Sequence, residues 1–135
     1  MVTTIAVNDF EPARLRGAAT TTRILAKAVH IASVEGLEAM SLSTLARASE
    51  MSKSGLFAHF RNKEALQLAI IDEAERIFFD AVVQPAQTLE GVERLTKIIG
   101  DYVDCCALSP FRGGCFFAAA AHEFDRLPRQ QRDTT

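Results

Sequence analysis

The sequence predicts an all-α protein, and three observations carry that prediction. Apolar residues recur at helical spacing from Thr22 to Glu35, from Leu66 to about Val83, from Val92 to Cys106 and from Cys115 to Phe124. Each run stops where helices stop: at Gly36, at Gln84-Pro85, at the Gly-containing loop from Ser109 to Gly114 and at Leu127-Pro128. Between the first two runs, Met40 to Leu66 reads as two short helices joined by a tight turn and followed at once by a longer helix. A chain of 135 residues then holds one small domain and part of a second. With 48% hydrophobic residues it should fold, yet runs such as Cys115 to Ala121 are too short to span a bilayer. The opening MVTTIAVNDFEPARLRG lacks the basic start and apolar stretch of a secretory signal, so a cytoplasmic protein is expected. Three cysteines in a reducing compartment argue against a disulfide framework.

Residues 1–19 show no period, and Pro12, Arg14, Arg16 and Gly17 suit a flexible N-terminal arm, either a plain tail or one that lays arginines into a minor groove. Helix one follows from Thr22, with Ile24, Ala28, Ile31 and Ala32 on one face, Leu25 and Val29 widening it, and Gly36 at its C-terminus. Leu37, Met40 and Leu42 cross back over the core before Ser41 or Ser43 caps helix two, Ser43 to Ala48. Ser49-Glu50-Met51 is the turn, pinned inward by Met51. Ser52 then caps helix three, Lys53 to Phe60, in which Leu56 and Phe60 share a face at i, i+4. The opposite face keeps Lys53, Ser54, Gly55, Phe57 and His59: one cation, hydroxyl and imidazole hydrogen-bonding groups, and a glycine that lets backbone come close, which suits a helix entering a major groove. Asn62 caps helix four, and Glu64 in its first turn complements the helix dipole. Leu66, Ala69, Ile70, Ala74, Ile77, Phe78 and Ala81 carry that helix far enough to leave the first domain and enter the second, which makes it the mechanical link. Val92, Leu95, Ile98, Ile99, Tyr102, Val103 and Cys106 make helix five, and Cys115 to Phe124 make helix six.

The residues Lys53, Ser54, Gly55, Leu56, Phe57, His59 and Phe60, followed by Asn62, Lys63, Glu64 and Leu66 and preceded by Leu45 and Ala46, resemble the helix-turn-helix domain of the TetR family of transcriptional regulators. The GCFFAAAAHEFD segment resembles a stretch in the second domain of some of its members. The resemblance covers residues 20–74 well and the rest loosely, and it departs at two positions. Most relatives have Gly where Glu50 stands, and a left-handed residue there should cost a non-glycine on the order of 1 kcal/mol. Most also have Tyr where Phe57 stands, so the hydroxyl that usually holds a phosphate is lost. The resemblance divides the chain into an arm (1–19), a DNA-binding domain (20–62) and a helical ligand-binding and dimerisation domain (63–135) that lacks the two C-terminal helices with which relatives pair. Either the chain is truncated or it dimerises another way.

What the resemblance implies is a repressor on a palindromic double-stranded operator, released when a small apolar effector binds the second domain and shifts helix four. Thr44, Ser52, Lys53, Ser54, Gly55, Phe57, His59 and Lys63 would meet DNA, with Thr44 and Lys63 holding phosphates. The ligand would meet Phe78, Tyr102, Phe111, Phe116 and Phe117, although aromatic clusters more often pack a core. A homodimer is expected, because Ile98, Ile99, Tyr102, Phe116 and Phe117 offer more apolar surface than a short second domain covers. The charge division agrees with this reading. Residues 1–63 hold eight Lys/Arg against five Asp/Glu, a balance of +3, and residues 64–135 hold seven against twelve, a balance of −5.

No other chemistry is called for. His30, His59 and His122 lie far apart, without the spacing of a metal site, and no cofactor is expected. Cys105, Cys106 and Cys115 flank the Gly-containing loop, where a thiol sensor can be imagined, but small buried hydrophobes are the ordinary reading. There is no phosphate loop or nucleophile elbow, and the carboxylates fall at polar helix positions, so no enzyme is expected. The competing reading is a helical ligand-binding or protein-interaction module with a vestigial helix-turn-helix.

Overall fold

The structure, a computed structural model, describes residues 11–108, 111 and 113–126, with residues 11–16 and 126 as backbone only. All the regular structure among the described residues is helical. Helices α1 (Glu11–Glu35), α2 (Leu42–Ser49), α3 (Lys53–Phe57) and α4 (Lys63–Phe78) come first, and α5 (Gly91–Ala107) and α6 (Phe116–Arg126) follow. Residues 1–10 and 127–135 of the expected arm and second domain lie outside the described residues. Residues 11–19, expected in the arm, are instead the start of α1, with Pro12 in the first turn, where a missing N–H leaves no hydrogen bond unmade.

The three short connections are built by side chains that accept orphan helix N–H groups. Ser41 accepts from the Thr44 N–H at 3.1 Å, Ser52 from Gly55 at 3.1 Å and Asn62 from Ala65 at 2.8 Å. Met51 donates its N–H back to the Ala46 carbonyl at 3.1 Å, which closes α2 and requires a left-handed residue between them. That residue is Glu50, with φ 55° and ψ 30°, the non-glycine residue with positive φ among those described. Helix α3 is shorter than its sequence pattern suggests. It leaves the α-helical ladder after Phe57, and the N–H groups of His59 and Phe60 both donate to the Leu56 carbonyl.

These elements enclose one core. Ala28, Val29, Leu45, Leu56, Leu66, Ile70 and Ala74 have no exposed surface, and Ile24, Ala32, Leu37, Met40 and Phe60 are almost as deeply buried. Helix α4 lies along α1, so the helix that begins beside the turn motif is held over its length by the brace. One carboxylate departs from the solvated face expected for it. Glu73 is 7% exposed and receives two hydrogen bonds from the Arg76 guanidinium, at 2.6 and 2.9 Å, while Arg76 reaches on to Asp80 at 2.8 Å. A buried carboxylate needs such a bidentate partner.

Beyond Phe78 the α-helix opens into a π turn (Phe79–Val83) and then a 3-10 turn (Gln84–Ala86). The cause is Pro85, which has no N–H and whose ring would strike the carbonyl four residues back, so the helix widens before it arrives. Helix α5 packs on this segment, where Val82 and Ala86 are fully buried. Helix α6 rests on α1, with close contacts before its start and near its end. A Cβ on Gly113 would run into the Ser33 carbonyl, and near its other end Glu123 accepts the Glu38 backbone N–H at 2.8 Å.

Glu50 generates a test. Glu50→Gly should raise stability by about 1 kcal/mol, because glycine enters the left-handed region without a Cβ clash. Glu50→Ala keeps the Cβ and should gain little. Urea unfolding of the three proteins distinguishes backbone strain from charge: equal gains in both variants would assign the effect to the carboxylate.

Candidate nucleic-acid interface

The site begins with what α3 hides. Leu56 has no exposed surface and Phe60 is 5% exposed, so the helix sits on the core by that face and turns the other outward. Lys53, Ser54 and Phe57 are exposed, Phe57 by 48%, and Gly55 is half-buried. Gly55 belongs to the cap as much as to the surface: a Cβ there would stand 3.1 Å from Ser52 Oγ and 3.7 Å from Met51 Cε, pressing on the hydroxyl that holds the first turn. Ser52 Oγ also meets Ser54 Oγ at 3.2 Å. The outward face of α3 is thus one cation, two hydroxyls and a bare aromatic ring on a helix too short to stand without its cap.

Three predicted contacts already have partners within the chain. Thr44 is half-buried and its hydroxyl meets Ser41 Oγ at 3.0 Å. The Lys63 ammonium, at the first position of α4, pairs with Glu38 at 2.9 Å, and this hydrogen bond holds the Glu38 carboxyl below its ordinary pKa. His59 sits half-buried with Nδ1 2.9 Å from Thr21 Oγ1, which is itself 2.9 Å from the Gly17 carbonyl. The threonine has one proton. Both contacts are satisfied together only when it goes to Gly17 and Nδ1–H donates to the threonine oxygen. The outer nitrogen of neutral His59 is then an acceptor. In that tautomer the outer nitrogen can take a hydrogen bond from an exocyclic amine of a base.

The structure also brings in cations that the sequence reading passed over. Arg23 and Lys27, on the exposed side of α1, border a cleft of about 260 Å³ with Thr20, Ile24, Ser49 and Met51, beside the turn that precedes α3. Ser49 Oγ is buried there without a hydrogen-bond partner among the described residues. Among the described residues Arg23, Lys27, Arg47, Lys53 and Arg61 form no ion pair, while Lys63, Arg76 and Lys97 are paired with carboxylates. The i, i+4 spacing of Arg23 and Lys27 was the available signal, overlooked because α1 reads as a brace.

The predicted ligand residues come together as one aromatic cluster. Phe78 meets Tyr102 and Phe117 at ring separations of 6.1 and 5.7 Å, and Phe111, Phe116 and Phe117 contact one another at 5.4 to 6.3 Å. Phe111 and Phe116 are buried within the chain's own core, while Tyr102 remains 39% exposed. Among the described residues no group of three His, Cys, Asp or Glu could hold a metal ion, and no helix is long and apolar enough to cross a membrane.

Against known families, a profile described as bacterial regulatory proteins, tetR family, matches residues 24–70, which contain α2, the turn, α3 and the first half of α4. A second, described as the tetracyclin repressor-like C-terminal domain, matches residues 91–135. The chain belongs to the TetR family. A solved relative agrees in fold: a TetR-family transcriptional regulator from Streptomyces coelicolor superposes with a TM-score of 0.66 at 23% identity, covering 84% of this chain and 61% of that one. This chain therefore spans less than two thirds of that TetR-family protein's length. No curated protein matches it. Both departures from the usual TetR pattern, Glu50 and Phe57, fall inside the first matched segment.

The His59 geometry is testable directly. In long-range ¹⁵N–¹H spectra at neutral pH, His59 should be the Nδ1–H tautomer, and Thr21→Val should return it toward the Nε2–H form ordinarily favoured in water. An Nε2–H ring in the unaltered protein would mean that the threonine is the donor.

Proposed function

We propose that this chain is a sequence-specific DNA-binding transcriptional regulator that represses by occupying a palindromic operator as a homodimer and is released by a small apolar effector. The observation that carries the reading is the outward face of α3, Lys53, Ser54, Gly55 and Phe57, presented by a helix whose other face is buried and flanked by Arg23, Lys27, Arg47 and Arg61, which form no ion pair among the described residues. Lys53, Ser54, Gly55, Phe57 and His59 face the groove; Ser52, Thr44 and Lys63 lie at helix N-termini, which suits phosphate. Phe57 contributes apolar contact, such as a thymine methyl accepts, in place of a hydroxyl. Lys63 can meet a phosphate only by sharing or leaving Glu38. An exposed ion pair of this kind is worth about 0–1 kcal/mol, so the exchange is not prohibitive.

The dimer is supported by α5. Val92, Leu95, Ile99 and Val103 are 53% to 80% exposed and share one side of that helix. This stripe differs from the surface the sequence suggested, since Phe116 is buried and Ile98 and Phe117 are half-buried inside the chain. The effector is supported by the aromatic cluster, which joins the last residue of α4, Phe78, to α5 and α6. A molecule that parts those rings would move α4 and with it the start of the DNA-binding face.

Duplexes selected from a random pool should bind with a steep loss of affinity as salt rises, two chains per duplex by sedimentation. Lys53→Ala should lose about 1–3 kcal/mol of discrimination between the operator and its single-base variants. Arg23→Ala or Lys27→Ala should instead weaken every duplex alike and flatten the slope of log K against log salt by about 0.9 for each phosphate contact removed. Salt-independent binding, or selection that returns no common sequence, would contradict the proposal.

A further inference from the structure

The imidazole of His59 is held from two sides. Its backbone N–H donates to the Leu56 carbonyl at 2.9 Å, in the turn that ends α3, and its ring reaches back to α1, where Nδ1 lies 2.9 Å from Thr21 Oγ1. Thr21 gives its one proton to the Gly17 carbonyl, 2.9 Å away in the previous turn of α1, so the contact with His59 stands only if Nδ1 carries the ring proton. The other ring nitrogen, Nε2, has no hydrogen-bond partner among the described residues and is not one of their buried polar atoms. A neutral ring thus shows an acceptor and no N–H on that side.

We propose that Thr21, a residue of the brace helix that itself meets no base, sets one position of the DNA sequence this chain selects, by fixing the tautomer in which His59 reads it. The proposal rests on the DNA-binding reading above and adds to it the chemical group that His59 takes. An Nε2 acceptor needs a donor, and in the major groove the donors are the exocyclic amines, N6 of adenine and N4 of cytosine. Guanine shows O6 and N7 there and thymine O4, whose lone pairs would meet the lone pair of Nε2. The base that faces His59 is therefore adenine or cytosine. Because the ring is anchored by its own backbone and by Thr21, it loses little freedom on binding, which lets a single hydrogen bond discriminate. Lys53 opens α3 and His59 lies beyond its last residue, so the two fall on different base pairs.

The converse follows when the threonine oxygen is removed. Thr21→Val keeps the shape of the side chain but leaves Nδ1 without its acceptor, and the proton moves to Nε2, the form ordinarily favoured in water. The ring then presents a donor at the same place, suited to guanine O6 or N7 or to thymine O4. One methyl in place of one hydroxyl on α1 exchanges the bases the site accepts and alters no side chain that touches DNA. Thr21 is thus a positioning residue, and His59 is the residue that reads.

Duplexes selected from a random pool at pH 8, above the range in which histidines ordinarily take up a proton, test this with the unaltered chain, Thr21→Ser, Thr21→Val and His59→Phe. The unaltered chain and Thr21→Ser, which keeps the hydroxyl, should share a preference for adenine or cytosine at one position of each half-site, roughly five- to tenfold in affinity over guanine or thymine. Thr21→Val should turn that preference to guanine or thymine and leave the position read by Lys53 as it was, while His59→Phe should show no preference there. Partial unfolding of Thr21→Val would weaken every sequence alike and could not invert one position. The unaltered chain on its selected duplex decides without any variant: long-range ¹⁵N–¹H spectra should show His59 Nε2 unprotonated and shifted from its value in the free protein by the amine it accepts. An Nε2–H ring or an imidazolium in that complex, or a Thr21→Val selection with the same base at every position, would overturn the proposal. A selection that returns no common sequence would instead sink the DNA-binding reading on which it rests.

Discussion

The structure depends on the contact between α1 and α4. Ala28 and Val29 on one helix and Leu66, Ile70 and Ala74 on the other are wholly withdrawn from solvent, and the small alanines allow the two helices to lie close. Burying each large side chain contributes roughly 1.5–3 kcal/mol, against about 0–1 kcal/mol for the exposed Lys63–Glu38 pair nearby. The ranking has a functional consequence. The apolar seam keeps α2 and α3 in a fixed attitude, while the charged contacts at the rim can be exchanged for other partners without loosening the fold. Helix α4 begins beside α3 and ends at Phe78 in the aromatic cluster, so it belongs to both halves of the chain.

Local chemistry was legible in the sequence and tertiary contact was not. Ser52 and Asn62 announce their roles because a cap needs only a side-chain oxygen three residues before a free N–H, and Gly36 and Glu50 announce the turns that follow α1 and α2. The segment of α1 from Ala18 to Thr20 leaves no periodic trace because all three residues are exposed, and a helical stretch that faces solvent need not repeat. The contacts that change the site most, His59 with Thr21 and Lys63 with Glu38, join residues 38 and 25 positions apart. Neither carries a motif. Glu73 looked like a surface residue because its partner, Arg76, sits three residues on, a spacing as common on solvated faces as on buried ones.

In the second half, sequence identified the aromatic residues and missed how they divide the labour. Phe111 and Phe116 complete a core, Phe78 and Phe117 connect it to α4, and Tyr102 stays partly exposed with its ring edge against Phe78. Helix α5 consequently has two uses: an exposed apolar stripe over Val92 to Val103 and a packing contact with Phe78 through Tyr102. Helix α6 carries Phe117 in its first turn and, near its other end, Glu123, which accepts the Glu38 backbone N–H in the α1–α2 elbow.

The central proposal is that the outward face of α3, flanked by Arg23 and Lys27 of α1, is the surface that meets DNA. Hydrogen–deuterium exchange of the protein alone and with a selected duplex tests it in one measurement. The account predicts slower exchange across residues 52–60 and along α1 around Arg23 and Lys27, with α5 unchanged apart from any effect of pairing between chains. Protection confined to α5 and α6, with residues 52–60 exchanging as freely as in the unbound protein, would contradict it.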